Sequence, residues 1–117
     1  MMKEIKVGLI KGRHEMPVSD YIFNEINDVL DFDSMNKQIC NFINNNINVY
    51  VVCGCGINQI GYEDVEVLTS DTKLIVYVTG LTSVTAELIK VCALKGISLT
   101  LMHYDRDTGD YLPQVIF

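Results

Sequence analysis

The chain contains no tryptophan, only two prolines and two histidines, and no long apolar run. Because no stretch approaches about 18 consecutive apolar residues, the sequence predicts no membrane-spanning helix and no membrane partner. Residues 1–6 are too polar for the start of a secretory signal peptide. We therefore expect a cytoplasmic protein.

Basic side chains are scarce, since nine Lys and Arg stand against fifteen Asp and Glu and give a net charge of -6. Proteins that bind along a nucleic-acid backbone need clustered cations to release counterions, and this chain has no run of Lys or Arg. Non-specific DNA or RNA binding is therefore not expected. A small anionic ligand remains compatible, because backbone N–H groups and a few local cations are enough to hold one.

The size and the apolar content indicate one folded unit. The chain has 117 residues, of which 49% are hydrophobic, and this length and composition predict a single domain over residues 1–117 with a packed core. The high apolar share also predicts a homodimer, the commonest symmetric state of soluble proteins.

Apolar patterning predicts the elements. Runs rich in β-branched residues predict strands over 5–10, 47–53, 73–79 and 97–104, with a short strand over 64–69. Helical spacing predicts one helix that is capped by Asp33 or Ser34 and ends near residues 44–46. It predicts a second helix that is capped within residues 80–83 and ends at Gly96. Residues 18–32 fit either a short helix or a strand.

The clearest unit is the strand, helix and strand over residues 73–104. Its tight connections predict a right-handed crossover and hence parallel strands. Residues 110–117 should return antiparallel at the sheet edge, because Pro113 has no N–H to donate. The sequence thus predicts a Rossmann-like α/β fold with a mainly parallel sheet, an antiparallel C-terminal hairpin and helices on the sheet faces.

Polar and glycine-rich residues follow each predicted strand, and ligands of open α/β sheets bind at the carboxyl ends of the strands. The candidate residues in chain order are Lys11, Gly12, Arg13 and His14, then Gly54, Gly56, Asn58 and Gln59, then Thr79, Gly80, Leu81, Thr82 and Ser83, and last His103 and Arg106. We expect them to meet at one edge of the sheet.

Each group also has a structural interpretation. Residues 79–83 open a helix, so they fit a phosphate site or a simple helix cap, without the lysine of a P-loop or the glycines of a dinucleotide fingerprint. Arg13 and His14 fit charge neutralisation and proton transfer, or a solvated loop. His103 also fits a structural hydrogen bond, and Arg106 an ion pair with Asp105 or Asp107.

The four cysteines predict no metal and no cofactor. Cys53 and Cys55 have C-x-C spacing rather than the C-x-x-C of zinc and thioredoxin sites. Cys40 and Cys92 fall on apolar helix faces, where small packing residues are expected. A thiol or metal protein that uses Cys53 and Cys55 remains a third hypothesis, behind the two given below.

Two segments, Tyr-Val-Thr-Gly-Leu-Thr at 77–82 and Leu-Met-His-Tyr-Asp-Arg at 101–106, together with Gly-Arg-His at 12–14, resemble small Rossmann-like proteins of CRISPR systems. These include ring nucleases, which degrade cyclic oligoadenylate messengers, and sensor domains that bind the same messengers. The resemblance implies a homodimer with the ligand across the strand ends. It also implies metal-independent cleavage by the ribose 2′-hydroxyl, with phosphate held by residues 79–83 and with Arg13 and His14 as catalytic residues.

The leading hypothesis is therefore a nucleotide-binding protein that acts as a cyclic-oligonucleotide phosphodiesterase or as a sensor. The alternative is a non-enzymatic, homodimeric interaction protein of a mobile-element or defence locus, which the high apolar fraction of a small acidic chain favours.

Overall fold

A computed structural model describes residues 2–12, 15–53 and 66–117. The strands among these residues are β1 (Lys3–Ile10), β2 (Tyr21–Phe23), β3 (Val49–Cys53), β4 (Glu66–Ser70), β5 (Thr72–Tyr77), β6 (Ser98–Asp105) and β7 (Asp110–Val115). The helices are α1 (Phe32–Asn46) and α2 (Thr82–Lys95).

The main sheet has five strands in the order β2-β1-β5-β6-β7. The first four strands run parallel, and β7 returns antiparallel beside β6. This confirms the predicted fold class, with a mainly parallel sheet and an antiparallel C-terminal hairpin. The predicted unit of β5, α2 and β6 is also confirmed, and β5 is the central strand.

Both helices pack on the same face of this sheet, and their apolar stripes form the main core. On α1, Met35, Ile39 and Ile43 are buried at the helical spacing that the sequence predicts. The strands and α2 contribute Val7, Leu9, Leu74, Val76, Val84, Leu88, Val91, Leu99 and Leu101.

The opposite face, here called the open face, has no helix against it in the described part of the chain. It carries a smaller cluster of Met16, Ile75 and Tyr77. Gly8 makes this cluster possible, because a Cβ at position 8 would overlap the Tyr21 ring and lie 2.9 Å from the Met16 sulfur. The side chains of Met16 and Tyr21 therefore lie directly over Gly8 of β1.

The strand predicted over 47–53 is present as β3, but the expectation that it belongs to the main parallel sheet was wrong. β3 pairs antiparallel with β4 in a separate two-stranded sheet, and Tyr50 and Val51 are about half exposed. A β-branched run favours a strand but does not choose the neighbour that the strand pairs with. Residues 18–32, which the pattern left open, contain the short edge strand β2 and the residues that lead into α1.

The first helix begins earlier than expected. Its N-cap is Asp31 rather than Asp33 or Ser34, and the Asp31 carboxylate accepts a hydrogen bond from the Ser34 N–H at 3.1 Å. Several Asp and Ser residues compete for the cap in this stretch, so composition alone could not choose among them. The first helix ends at Asn46, and the second ends at Gly96 in the left-handed conformation, as predicted.

Two cysteines lie where the helical pattern predicts. Cys92 is fully buried in the core, and burial raises the pKa of its thiol to about 12. Cys40 is half-buried, and its thiol donates to Asn36 Oδ1 at 3.6 Å. Cys92 is therefore an unreactive packing residue, and Cys40 packs at the edge of the core.

Within the described ranges, neither helix is long and apolar enough to cross a membrane.

Candidate functional site

Parallel strands end at the same edge of a sheet, and beyond the ends of β5 and β6 there is a cleft of about 1040 Å³. Its lining residues are Glu15, Val78, Thr79, Gly80, Leu81, His103, Tyr104 and Arg106. Five residues of the sequence-based site therefore lie around one cavity, although they come from two separate segments of the chain.

The loop before α2 forms one wall of the cleft. The Val78 N–H donates to the Met102 carbonyl at 3.1 Å, which holds the residue after β5 against β6. The carbonyl of Leu81 accepts from both the N–H and the hydroxyl of Thr85, at 3.2 and 3.0 Å. Leu81 is consequently the N-cap residue, and α2 begins at Thr82.

This helix start has no side-chain cap among the described residues, and its first turn contains no acidic residue. The prediction that residues 80–83 supply a capping side chain was therefore wrong. A capping side chain belongs to the residue before the first helical turn, and here that residue is the apolar Leu81. Thr82 and Ser83 lie within the first turn instead.

The Thr79 hydroxyl is a second unsatisfied group at this wall. Its oxygen is buried and has no hydrogen-bond partner in the described part of the protein. Leaving a buried hydroxyl unpaired costs about 1–3 kcal/mol. Among the described residues, the Thr79 hydroxyl has no partner and no side chain caps the first turn of α2, and the two lie close together in the chain.

Arg106 provides a cation at the same cleft. The predicted alternative of an ion pair with Asp105 or Asp107 is wrong, because Arg106 has no ion pair with any residue that the structure describes. The Asp105 carboxylate instead closes its own turn, accepting from the Asp107 N–H at 3.0 Å and from the Thr108 hydroxyl at 3.1 Å. Arg106 is exposed, and a guanidinium offers several N–H donors to a ligand.

His103 makes the structural hydrogen bond that the sequence suggested and also lines the cleft. Its Nε2 lies 2.7 Å from Gln114 Oε1 on the neighbouring strand β7. When Nε2 carries the proton and donates to that oxygen, Nδ1 is left as an acceptor. The histidine is therefore held in orientation beside a cavity that it could serve chemically.

An aromatic group forms the wall on the side of the open face. The Tyr104 and Tyr111 ring centroids are 5.4 Å apart, and the Tyr111 and Tyr77 rings meet edge to face at 4.8 Å. The Tyr111 hydroxyl donates to the Glu15 carbonyl at 3.2 Å. Burial, followed by the nearby Tyr104, Tyr21 and Tyr77, raises the pKa of Tyr111, so this hydroxyl remains a donor at neutral pH.

The sequence-based candidates did not include Glu15, Tyr104 or Tyr111, although Glu15 and Tyr104 lie in segments after β1 and in β6 that were expected at this edge. The available signal was strand alternation, which places Tyr104 on the face opposite to His103. The structure sets Tyr111 directly opposite Tyr104 in the hairpin, a register that the predicted strand ends did not fix.

Other predicted residues do not line this cleft. Lys11 and Gly12 are exposed after β1, and the Lys11 N–H donates to the Phe23 carbonyl at 2.9 Å. Thr82 lines a smaller hollow of about 360 Å³ on the helix side of the loop, and Ser83 is in the first turn of α2.

The remaining predicted site residues, Arg13, His14, Gly54, Gly56, Asn58 and Gln59, lie outside the described residues. Cys55 lies outside them too, so its hypothesis stays untested. The reason for placing residues 54–59 at this edge was wrong, because β3 before them belongs to the separate sheet.

The described ranges contain no group of three or more His, Cys, Asp or Glu side chains arranged to hold a metal ion. Comparison with models of known protein families, with characterised proteins and with solved structures finds no match to this chain. The function is therefore inferred from the residues of the cleft.

Proposed function

We propose that this protein binds a nucleotide in the cleft beyond β5 and β6. One observation carries the proposal: Thr79, whose hydroxyl oxygen has no hydrogen-bond partner among the described residues, and Leu81, the N-cap residue of a helix without a side-chain cap in the same ranges, line a cavity that Arg106 also lines. A helix N-terminus favours negative charge, and an arginine binds phosphate through paired donors. These groups together suit a phosphate.

The size and polarity of the cleft favour a nucleotide over a simple anion. A cavity of about 1040 Å³ is at the upper end of the usual range for small-molecule sites, far larger than one phosphate needs. Glu15 also lines it, and its carboxylate would repel a bare anion. The same carboxylate is well suited to accept hydrogen bonds from ribose hydroxyls.

The test compares two threonines whose buried hydroxyl oxygens both lack a hydrogen-bond partner among the described residues. Thr79 and Thr100 each have a buried, unpartnered hydroxyl oxygen, but only Thr79 lines the cleft. We expect Thr79→Val to weaken the binding of adenosine 5′-monophosphate about tenfold by isothermal titration calorimetry, because one hydrogen bond to a charged group is lost. Thr100→Val should leave the affinity unchanged. Wild-type protein that binds no nucleotide would refute the proposal.

The finer form of the proposal is a metal-independent phosphodiesterase for cyclic oligonucleotides. In that reaction a ribose 2′-oxygen bonds to the adjacent phosphorus, the bond from phosphorus to the 5′-oxygen breaks, and a 2′,3′-cyclic phosphate forms. The 2′-hydroxyl proton passes to an imidazole, and the departing 5′-oxygen takes a proton from water. His103 supports this form as an oriented imidazole in the cleft, and the sequence adds Arg13 and His14, which directly precede Glu15.

Incubation with cyclic tetra-adenylate, followed by mass spectrometry, tests the finer form. We expect linear products, and we expect Arg13→Ala and His14→Ala to lower the turnover about a hundredfold without a change in melting temperature. Binding without products would indicate a sensor instead. Variants that unfold would show that Arg13 and His14 are structural.

The exposed side chains of the C-terminal strand favour a second candidate, a homodimeric interaction protein. Val115 is 67% exposed at the end of the edge strand β7, and Phe117, two residues on, is 50% exposed. Exposed apolar side chains at a sheet edge offer an interaction surface. The expected partner is a second copy of the chain. Sedimentation should then give a dimer that Val115→Asp dissociates, whereas a wild-type monomer would exclude this candidate.

A further inference from the structure

We infer that Tyr104 is the stacking surface for the nucleobase, which gives the cleft a base subsite beside its phosphate subsite. The inference rests on the proposed nucleotide function and adds to it a residue that distinguishes a nucleotide from a sugar phosphate.

The Tyr104 ring is partly exposed and is supported from behind by other rings. It is 48% exposed although it lies on the cleft wall, so part of its surface is open to a ligand. Tyr111 lies behind it with the two ring planes at 59°, and Tyr111 in turn meets Tyr77 at 81°. Tyr77 is only 8% exposed and belongs to the central strand.

This support matters for affinity. A side chain that is already held in position loses little conformational freedom when a ligand binds. Tyr111 is itself fixed by its hydrogen bond to the Glu15 carbonyl, so the aromatic row joins the end of the loop after β1 to the sheet. The ring of Tyr104 is therefore held in position at the cleft before a ligand binds, so binding costs it little conformational entropy.

The two subsites lie on different walls of one cavity. The phosphate donors belong to the loop between β5 and α2, whereas Tyr104 follows His103 on β6 and so points to the open face. A nucleotide with its phosphate at α2 can extend its base across the strand ends toward Tyr104. Because every base has a π-face, stacking would favour any nucleotide over a sugar phosphate with little choice among bases.

The experiment measures the affinities of adenosine 5′-monophosphate and ribose 5-phosphate by calorimetry. For wild-type protein we expect the nucleotide to bind about five- to a hundredfold more tightly, which is the range for stacking on one aromatic ring. Tyr104→Ala should remove this advantage and leave ribose 5-phosphate binding unchanged. Tyr104→Phe should keep the advantage, because the ring remains.

Tyr50→Ala is the matched control, since Tyr50 has the same 48% exposure but lies on β3, away from the cleft lining. It should change neither affinity. Equal wild-type affinities for the two ligands, or a Tyr104→Ala variant that weakens both equally, would overturn the stacking role and leave phosphate binding intact. If neither ligand binds the wild-type protein, the proposed function itself fails.

Discussion

The two helices of this protein begin in opposite ways. The first turn of α1 is capped by the residue next to it, because the Asp31 carboxylate accepts from the Ser34 N–H, and Asp33 adds a second negative charge. The first turn of α2 has neither a side-chain cap nor an acidic residue within the described part of the chain, and it starts beside the cleft. The comparison shows that α1 satisfies its first turn with its own side chain, whereas the first turn of α2 leaves its N–H donors open to the ligand that we propose.

The other ends of the helices differ as well. At the end of α1, the Asn46 side chain donates to the Phe42 carbonyl at 2.7 Å, which is a local contact. At the end of α2, Gly96 adopts φ 66° against β4, where a Cβ would overlap the Leu68 carbonyl. The backbone N–H groups of Gly96 and Ile97 bond to the last carbonyls of α2. Both helices are thus completed by neighbours in sequence, but the end of α2 also lies close against a strand that is distant in the chain.

The largest expected effect is at Gly96. Gly96→Ala should lower the free energy of unfolding by about 2–5 kcal/mol, because the left-handed conformation costs about 1–2 kcal/mol and the overlap with β4 adds to it. Gly109→Ala is the control, since Gly109 has φ 75° with open space around it. Gly109→Ala should lower the free energy of unfolding only by the cost of the left-handed conformation. Equal losses in urea denaturation would show that the contact with β4 contributes nothing.

A smaller effect is expected at the cap of α1. Asp31→Ala should lower the free energy of unfolding by about 1 kcal/mol, because the Ser34 N–H loses its acceptor. Asp31→Asn should retain most of the stability, since asparagine caps a helix nearly as well. The same urea denaturation measures both variants, and no loss in Asp31→Ala would mean that α1 does not depend on its own cap.

The smallest expected change in stability, from Thr82→Asp, tests the difference between the two helix starts most directly. Thr82→Asp gives α2 the acidic first turn that α1 has, and it should raise the free energy of unfolding by about 0.3–1 kcal/mol. It should also weaken adenosine 5′-monophosphate about tenfold, because the new carboxylate repels the phosphate. Thr82→Asn has a similar size without the charge and should do neither. Unchanged affinity in Thr82→Asp would place the phosphate away from α2.

Local sequence pattern was sufficient for much of the fold. The βαβ unit of β5, α2 and β6 was predictable because tight connections and chirality leave one arrangement. Pro113 correctly marked an edge strand. The pairing of β3 was not predictable, because the same β-branched residues suit a buried strand and the exposed hairpin that Tyr50 and Val51 form.

The candidate site was predicted only in part. Thr79, Gly80, Leu81, His103 and Arg106 were expected together because parallel strands end at one edge, and they line one cleft. Tyr104 and Tyr111 were missed because their meeting depends on the register across a hairpin. The lack of a cap on α2 was also missed, because two threonines and a serine near its start suggested the opposite.

The sequence by itself determined the class of the fold, the apolar face of α1 and the edge of the sheet where the loops after the parallel strands meet. These features follow from periodicity, chirality and turn chemistry within short segments. Only the tertiary structure decided which strand β3 pairs with, which donors stay unsatisfied and which tyrosines meet at the cleft. Those outcomes depend on contacts between residues far apart in the chain, and such contacts are set when the whole core packs rather than by any local pattern.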